Sequence, residues 1–237
     1  MIDFHTHVLP GTDDGSGSLA ETEKLLKESY LQGVRKLVAT PHFYAMETSF
    51  TQFLRKREES MLLLQSAKGN SGEVPELYVG AEVYYFPGIS RAERLPELCI
   101  RGTEILLLEM PFIQWEREMY REVREIIEKR KLRVVLAHVE RYYDDQKDRS
   151  VWLDMWELPV YPQINAGSFL KRGRKKFCLD FLKKHGDVIL GSDCHNMAHR
   201  PPNLLEGRKV IEKKFGLRRL EEVDDISAGL LEGAEEF

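Results

Sequence analysis

The sequence predicts an α/β fold: one parallel βα domain over residues 1–237, built either as a barrel or as a doubly wound sheet. Three observations carry this. Short apolar, β-branched runs recur seven times along the chain. Charged amphipathic stretches of helical period lie between them. The imidazoles and carboxylates of greatest chemical interest fall at the ends of the runs, where parallel βα folds build their sites. A chain of 237 residues is long enough to bury one large core.

The elements follow in order. The first strand, Ile2–Val8, carries His5 and His7 two residues apart and so on one face. The loop Gly11-Thr-Asp-Asp-Gly15 then brings Asp14. A helix over Ser18–Gln32 should turn Leu25, Leu26 and Leu31 to the core, with Gly33 at its C-terminal cap. Strand Val34–Thr40 leads through Pro41 to His42, and helix Thr51–Lys68 precedes strand Leu77–Tyr85, which contains Glu82. Strand Ile105–Glu109 ends on Glu109. Helix Glu116–Lys131 is followed by strand Arg133–Val139, with His138 at its end. Strand Val160–Asn165, helix Ser168–Lys184, Gly186 and strand Val188–Gly191 come next. Asp193 and His195, again two apart, follow that last strand, and helix Asn203–Phe215 ends the alternation.

Composition narrows the function. Apolar residues make up 42% and charged residues 31%, the balance of an ordinary soluble chain. A net charge of −4 gives no electrostatic case for nucleic acid or an anionic membrane. The opening MIDFHTHVLPG lacks a basic leader and an apolar stretch, and no segment approaches the roughly 18 apolar residues of a membrane span. A cytoplasmic location without membrane insertion is therefore expected. Cys99, Cys178 and Cys194 are odd in number and have no zinc-finger spacing, so they read as reduced thiols.

A lone histidine near a strand end is more often structural than ligating, and even His5-Thr-His7 leaves the odds near even. The set of nine changes this: His5, His7, Asp14, His42, Glu82, Glu109, His138, Asp193 and His195 all fall where one mouth would gather them. Four carboxylates converging there would repel one another without cations. Four carboxylates contribute −4 and three divalent ions +6, which leaves about +2, a charge suited to a phosphomonoester dianion. Such ions also bring the pKa of a bound water toward neutrality. The mixed imidazole and carboxylate set, without thiolate, suits manganese, iron or zinc.

These motifs, together with Thr40-Pro41-His42, Gly80-x-Glu82, His138-x-Glu-Arg141-Tyr and Gly191-Ser-Asp193-x-His195-Asn, resemble the polymerase-and-histidinol-phosphatase (PHP) superfamily. Within it they are most similar to the manganese-dependent protein-tyrosine phosphatases of bacterial capsule and exopolysaccharide loci. The resemblance runs from residue 1 to about residue 202. It implies a distorted seven-stranded (β/α)7 TIM-like barrel holding about three divalent ions, manganese first, with iron or zinc as alternatives. His5, His7, Glu82 and Asp193 would hold one ion, Glu82 would bridge to a second held with Glu109 and His138, and Asp14, His42 and His195 would hold a third. Arg141 and Arg200 would bind phosphate, a role that suits the bidentate fork of a guanidinium. The implied substrate is a phosphotyrosyl protein, a bacterial tyrosine kinase or one of its targets. The loop Phe43-Tyr44-Ala45-Met46 departs from the family pattern, which places a second histidine and small polar residues there.

Other readings stay open at this point. Hydrolysis of a small metabolite such as histidinol phosphate is the alternative activity. A non-catalytic metal-binding module and a nuclease are weaker ones. Cys194 and Arg200 match a Cys-x5-Arg pattern, but the residues between them lack the glycine-lined phosphate loop that cysteine chemistry needs. His199 is a candidate general acid or a surface residue. The run Lys171–Lys176 (KRGRKK) reads as a solvated helix start or as a contact for an acidic protein segment.

Overall fold

The computed structural model describes residues 1–67 and 74–237, so Lys68 at the end of the expected second helix lies outside the described residues. Among the described residues nine strands are present where the sequence suggested seven. The second run, expected over Val34–Thr40, gives β2 (Lys36–Ala39), and an extra short strand, β3 (His42–Phe43), follows it beyond Pro41; the third run divides into β4 (Glu76–Val79) and β5 (Glu82–Tyr84). The first break contains Pro41, which has no N–H for a ladder. Its carbonyl still accepts from the Glu82 amide at 3.0 Å, and the Gly80 amide donates to Ala39 O at 2.9 Å.

At these breaks the chain passes between two sheets. One has the order β1-β2-β4, with β1 Ile2–Thr6. The other has the order β3-β5-β6-β7-β8-β9, adding β6 Ile105–Glu109, β7 Arg133–Leu136, β8 Tyr161–Asn165 and β9 Ile189–Gly191. Every paired strand is parallel. β1 and the chain after β9 meet through a parallel bridge between Thr6 and Cys194, with His7 N donating to Cys194 O at 2.9 Å and Asp193 N to His5 O at 2.8 Å.

The helices cover the outside of the sheets. α1 (Leu19–Leu31) starts at Ser18, whose hydroxyl caps the Glu21 amide. Leu25 and Leu26 are buried as expected, but Leu31 is 67% exposed. At 100° per residue Leu31 falls on the face of Lys24 and Lys27, which is the solvent side. α2 spans Phe50–Ala67 and α3 Arg117–Glu128, followed by a short α4, Ser150–Met155, that the sequence reading missed. The expected helix Ser168–Lys184 is shorter. A 3-10 turn over Ala166–Phe169 and a non-helical stretch containing Gly173 precede α5 (Lys175–Lys184). α6 (Leu204–Phe215) is followed by an unforeseen α7 (Leu217–Leu230). Two apolar clusters result. The larger joins strands to the outer helices, for example Leu106, Leu108 and Leu136 with Val123 and Ile126. The smaller gathers Ile2, Phe4, Val38, Leu107 and Val135 against Leu230 and Leu231 at the end of α7.

Candidate metal centre

Strand register places the candidate ligands next to one another. His42 lies opposite Glu82 in the β3–β5 pair, and Tyr84 lies opposite Glu109 in β5–β6. His138 and Asp193 are not in strands. They hold φ angles of 30° and 54°, and Lys131 is the only other non-glycine residue with positive φ among the described residues. Such left-handed backbone is costly away from glycine and is retained where surrounding structure demands it. The expected strand Arg133–Val139 accordingly stops at Leu136, and the turn at His138 swings its ring back to Glu82. Close packing also matters: a Cβ on Gly191 would sit 2.6 Å from Cβ of His5, and one on Gly15 would sit 2.3 Å from His7 O.

All nine candidate residues meet at this end of the strands. Nε2 of His5 lies 3.1 Å from Glu82 Oε2 and 3.7 Å from Asp193 Oδ1. Nε2 of His7 is 3.2 Å and 3.4 Å from the same two oxygens. His138 Nε2 is 2.9 Å from Glu82 Oε1 and 3.3 Å from Glu109 Oε1. His42 Nδ1 is 2.9 Å from Glu82 Oε2, while Nε2 of His42 and Nε2 of His195 each lie 3.5 Å from Asp14 Oδ1. Three ligand groupings with converging atoms emerge: His7, Asp14, His42 and His195; His5, His7 and Asp193; and His42, Glu82 and Glu109. His5, His7, Glu82, His138, Asp193 and His195 are buried, whereas Asp14 is 69% exposed at the mouth.

The orienting partners fix which nitrogen of each ring faces inward. His5 Nδ1 contacts Gln163 Oε1 at 3.0 Å, His7 Nδ1 contacts Asp13 Oδ2 at 2.7 Å, and His195 Nδ1 contacts Asp193 O at 3.1 Å. A proton on each Nδ1 leaves the Nε2 lone pairs pointing into the centre. With both rings neutral in that form, the Nε2 atoms of His5 and His7 would face each other at 3.1 Å as two lone pairs. That contact calls for a positive charge, either a proton on one ring or a metal ion between or beside them. Moreover, Glu82 Oε2, Glu109 Oε2, Asp193 Oδ1, His42 Nδ1 and His138 Nδ1 are buried and unpartnered by any hydrogen bond. Each such atom costs about 1–3 kcal/mol. For the four that face the carboxylate–imidazole contacts, cations would remove that cost. This donor set fits divalent metal ions.

Titration directions tell the same story. Burial opposes charge on Glu82 and Asp193, yet the surrounding imidazoles, His5 foremost, hold both carboxyls well below their usual range. Burial likewise opposes charge on His7 and His138. Asp13, Asp193 and Glu82 nevertheless hold His7 well above its usual value, and Glu109 and Glu82 push His138 up to about 9. In the absence of cations, protons collect on these rings. His195 behaves differently, since burial, His7 and Arg200 depress it to about 4.

Three partners escaped the sequence reading: Asp13, Gln163 and Asn165. Asp13 also accepts from the His42 amide at 2.9 Å, and Gln163 Oε1 from the His138 amide at 2.7 Å. Asn165 Nδ2 donates to Asp193 Oδ2 at 2.8 Å. The available signal was weak: a second aspartate beside Asp14, and two polar residues alternating in an otherwise buried strand.

Arg141 and Arg200 lie beside the centre. Arg200 Nη2 is 2.5 Å from Asp193 Oδ2, its Nη1 donates to His195 Nε2 at 2.8 Å, and Arg141 Nη1 is 3.6 Å from Asp193 Oδ2. Both border a cavity of about 490 Å³ that Asp193 and His199 also line. Phe112 stacks on His138 and carries the Arg141 guanidinium 4.8 Å above its ring, and Tyr44 of the atypical loop stacks on His42. Cys194 is fully buried and its thiol is pushed up to about 12, chiefly by burial, so it offers no thiolate for cysteine chemistry. Among the described residues, no helix is long and apolar enough to cross a membrane.

Comparison with known proteins adds the following. A family described as capsular polysaccharide synthesis, CpsB/CapC, matches residues 1–227. The chain is 27% identical over 232 residues to tyrosine-protein phosphatase CpsB of Streptococcus pneumoniae, covering 94% of each. It is 26% identical over 225 residues to tyrosine-protein phosphatase YwqE of Bacillus subtilis (strain 168), covering 91% of this chain and 85% of YwqE. A crystal structure from work on YwqE of B. subtilis and CpsB of S. pneumoniae, described as metal-dependent tyrosine phosphatases, aligns with a TM-score of 0.83 at 24% identity. It covers 100% of this chain and 96% of that one, so the fold is shared.

Proposed function

The chain belongs to the CpsB/CapC family of capsular polysaccharide synthesis, and from that premise we propose that it is a metal-dependent phosphatase of phosphotyrosyl proteins. The observation that carries this reading is the convergence of five imidazoles and four carboxylates beside a cavity bordered by Arg141 and Arg200. About three divalent ions would occupy the centre, manganese first. His5, His7, Glu82 and Asp193 would hold one, Glu82, Glu109 and His138 a second, and Asp14, His42 and His195 a third. His42, at 2.9 Å from Glu82 Oε2, stands between the last two sets. With β2–β3 and β4–β5 each counted as one interrupted strand, the sheets read as a distorted seven-stranded barrel closed at the Thr6–Cys194 bridge.

When bound, divalent ions supply Lewis acidity to a phosphoryl oxygen and activate water near neutral pH. The chain's own residues do the rest. Asp13, Gln163 and Asn165 hold His7, His5 and Asp193 in place. Arg141 and Arg200, now turned to Asp193, grip the phosphoryl oxygens once the carboxylate is neutralised. A tyrosine phenolate, with a pKa near 10, leaves with little help from a general acid. A cytoplasmic tyrosine kinase or its targets in capsule regulation is the natural class of substrate.

The test is direct. Manganese-loaded protein should turn over a phosphotyrosyl peptide with a higher kcat/KM than histidinol phosphate, and the reverse preference overturns the assignment. At full metal occupancy, Arg141→Ala and Arg200→Ala should each lose about 10²–10³ in rate. Wild-type rates in both would remove the arginines from the site.

A further inference from the structure

The cavity beside the centre contains more positive charge than one phosphate needs. Besides Arg141 and Arg200 it is lined by Lys171 and Arg174, against Asp193 as its single carboxylate. A phosphoryl dianion answers the first pair of cations, and Asp193 belongs to the ligand set. Lys171 is left over, and Arg174 is answered only by Asp144, which lies outside the lining of this cavity.

Both come from the run Lys171-Arg-Gly-Arg-Lys-Lys176, which carries five cations and no anion. Its placement is unusual for a merely solvated helix start. Only Lys175 and Lys176 are helical, and the remainder forms a turn along the cavity wall. Arg174 fixes that turn by donating to Glu140 O at 2.8 Å and meeting Asp144 Oδ2 at 2.8 Å. Among the described residues, the other four cations make no ion pair, and all four are exposed. Lys176 and Arg174 also border a second cavity, of about 660 Å³, whose lining mixes Trp152, Phe177 and Phe181 with Asp144, Glu157 and Asp180, so the excess of positive charge is on the side of the first cavity. Arg174 is the residue common to the two cavities, so the cationic turn forms a ridge leading away from the centre.

We propose that this ridge binds an acidic flank of the phosphotyrosyl substrate, with Asp or Glu side chains close to the scissile residue lying over Lys171, Arg174 and Lys176. The argument is charge complementarity and continuity with the phosphate cavity, and it rests on the phosphotyrosine reading of that cavity. Lys171 and Lys176 act through long-range attraction and surface ion pairs, each worth a fraction of a factor of ten in affinity. Their contribution therefore falls on KM rather than kcat, and salt weakens it.

The experiment compares three phosphotyrosyl peptides on metal-loaded, full-length protein: one with Asp and Glu flanks, one with Ala flanks, and one with Ala flanks and a second phosphotyrosine. The acidic peptide should be preferred over the Ala peptide by about threefold to tenfold in kcat/KM at low salt, through KM. That preference should shrink toward unity in Lys171→Ala/Lys176→Ala and in about 1 M salt. Equal rates for the acidic and Ala peptides overturn the inference, as does a preference that survives the double substitution. An advantage confined to the doubly phosphorylated peptide overturns the choice of carboxylates and points to phosphate as the second anion. Failure to hydrolyse any of the three while histidinol phosphate is consumed overturns the proposed function itself.

Discussion

The two ends of the strands solve opposite problems. At the end away from the centre, Ile2, Phe4, Val38, Leu107 and Val135 pack against Leu230 and Leu231 at the end of α7 in an apolar cluster. At the other end, His5, His7, Glu82, His138 and Asp193 are equally buried, but five of the site's polar atoms lack a hydrogen bond. Burial as such stabilises the first region and penalises the second. Burial gives an apolar core in one place and a cluster of unpaired donor atoms in the other, because only the second gathers imidazoles and carboxylates.

Substitutions can sharpen that contrast. The largest effect is expected from Glu82→Gln, since Glu82 touches His5, His7, His42 and His138 at 2.9–3.2 Å. Activity on a phosphotyrosyl peptide should fall by at least about 10³, with fewer metal ions per chain by elemental analysis. Full metal content and near-normal turnover would remove Glu82 from the centre. At the opposite end, Leu230→Ala should cost about 2–5 kcal/mol of unfolding free energy in urea. Its folded, metal-loaded form should keep the wild-type kcat, so a loss of kcat at full occupancy would mean that the two ends are coupled.

Asp13→Asn tests a finer point. It removes the charge that orients His7 without removing a proposed ligand. A 10–100-fold weakening of metal binding is expected, with activity recovered at saturating metal. A variant that saturates at wild-type metal concentration would show that the Asp13 contact positions nothing.

The smallest effect is a pH dependence. Without cations His138 is pushed up to about 9, so its charged form persists in the folded state above the pH where the unfolded ring, near 6.5, has lost its proton. The associated stability is fully present below about pH 6.5 and is lost as pH rises through 9. A metal ion needs the neutral ring, so binding releases that proton. Metal affinity should accordingly rise between pH 7 and 9, by up to about tenfold per unit for each proton displaced. Calorimetry in buffers of different ionisation enthalpy checks this, and a pH-independent affinity with no proton release would contradict it.

Much of the molecule was legible one residue at a time. Strand identity follows from β-branched runs such as Arg133–Leu136, and residues at their ends, His42 and Glu109 among them, could be picked out because parallel folds place chemistry there. Local periodicity was enough for α1 and α3, but where a stripe was guessed rather than phased, as at Leu31, it failed. The helix α4 is only six residues, too short to show a period, whereas α7 carries Leu220, Val223 and Leu230 at helical spacing, a signal the sequence reading passed over.

By itself the sequence determined most element types, their order and a list of nine candidate side chains, because each of these depends on side-chain chemistry and short-range period. Tertiary structure alone decided the rest. The chain passes from one sheet to the other at Pro41 and Gly80, and which strands pair on each side of those breaks is set by neighbours distant in sequence. His138 and Asp193 adopt left-handed backbone because they must turn back toward Glu82 and the paired imidazoles. Asp13 and Gln163 became orienting groups because loops and strands distant in sequence meet at His7 and His5. A hydrogen bond spanning 158 residues, such as His5 to Gln163, has no local signature, since it exists only after the strands between its partners have taken their order and register.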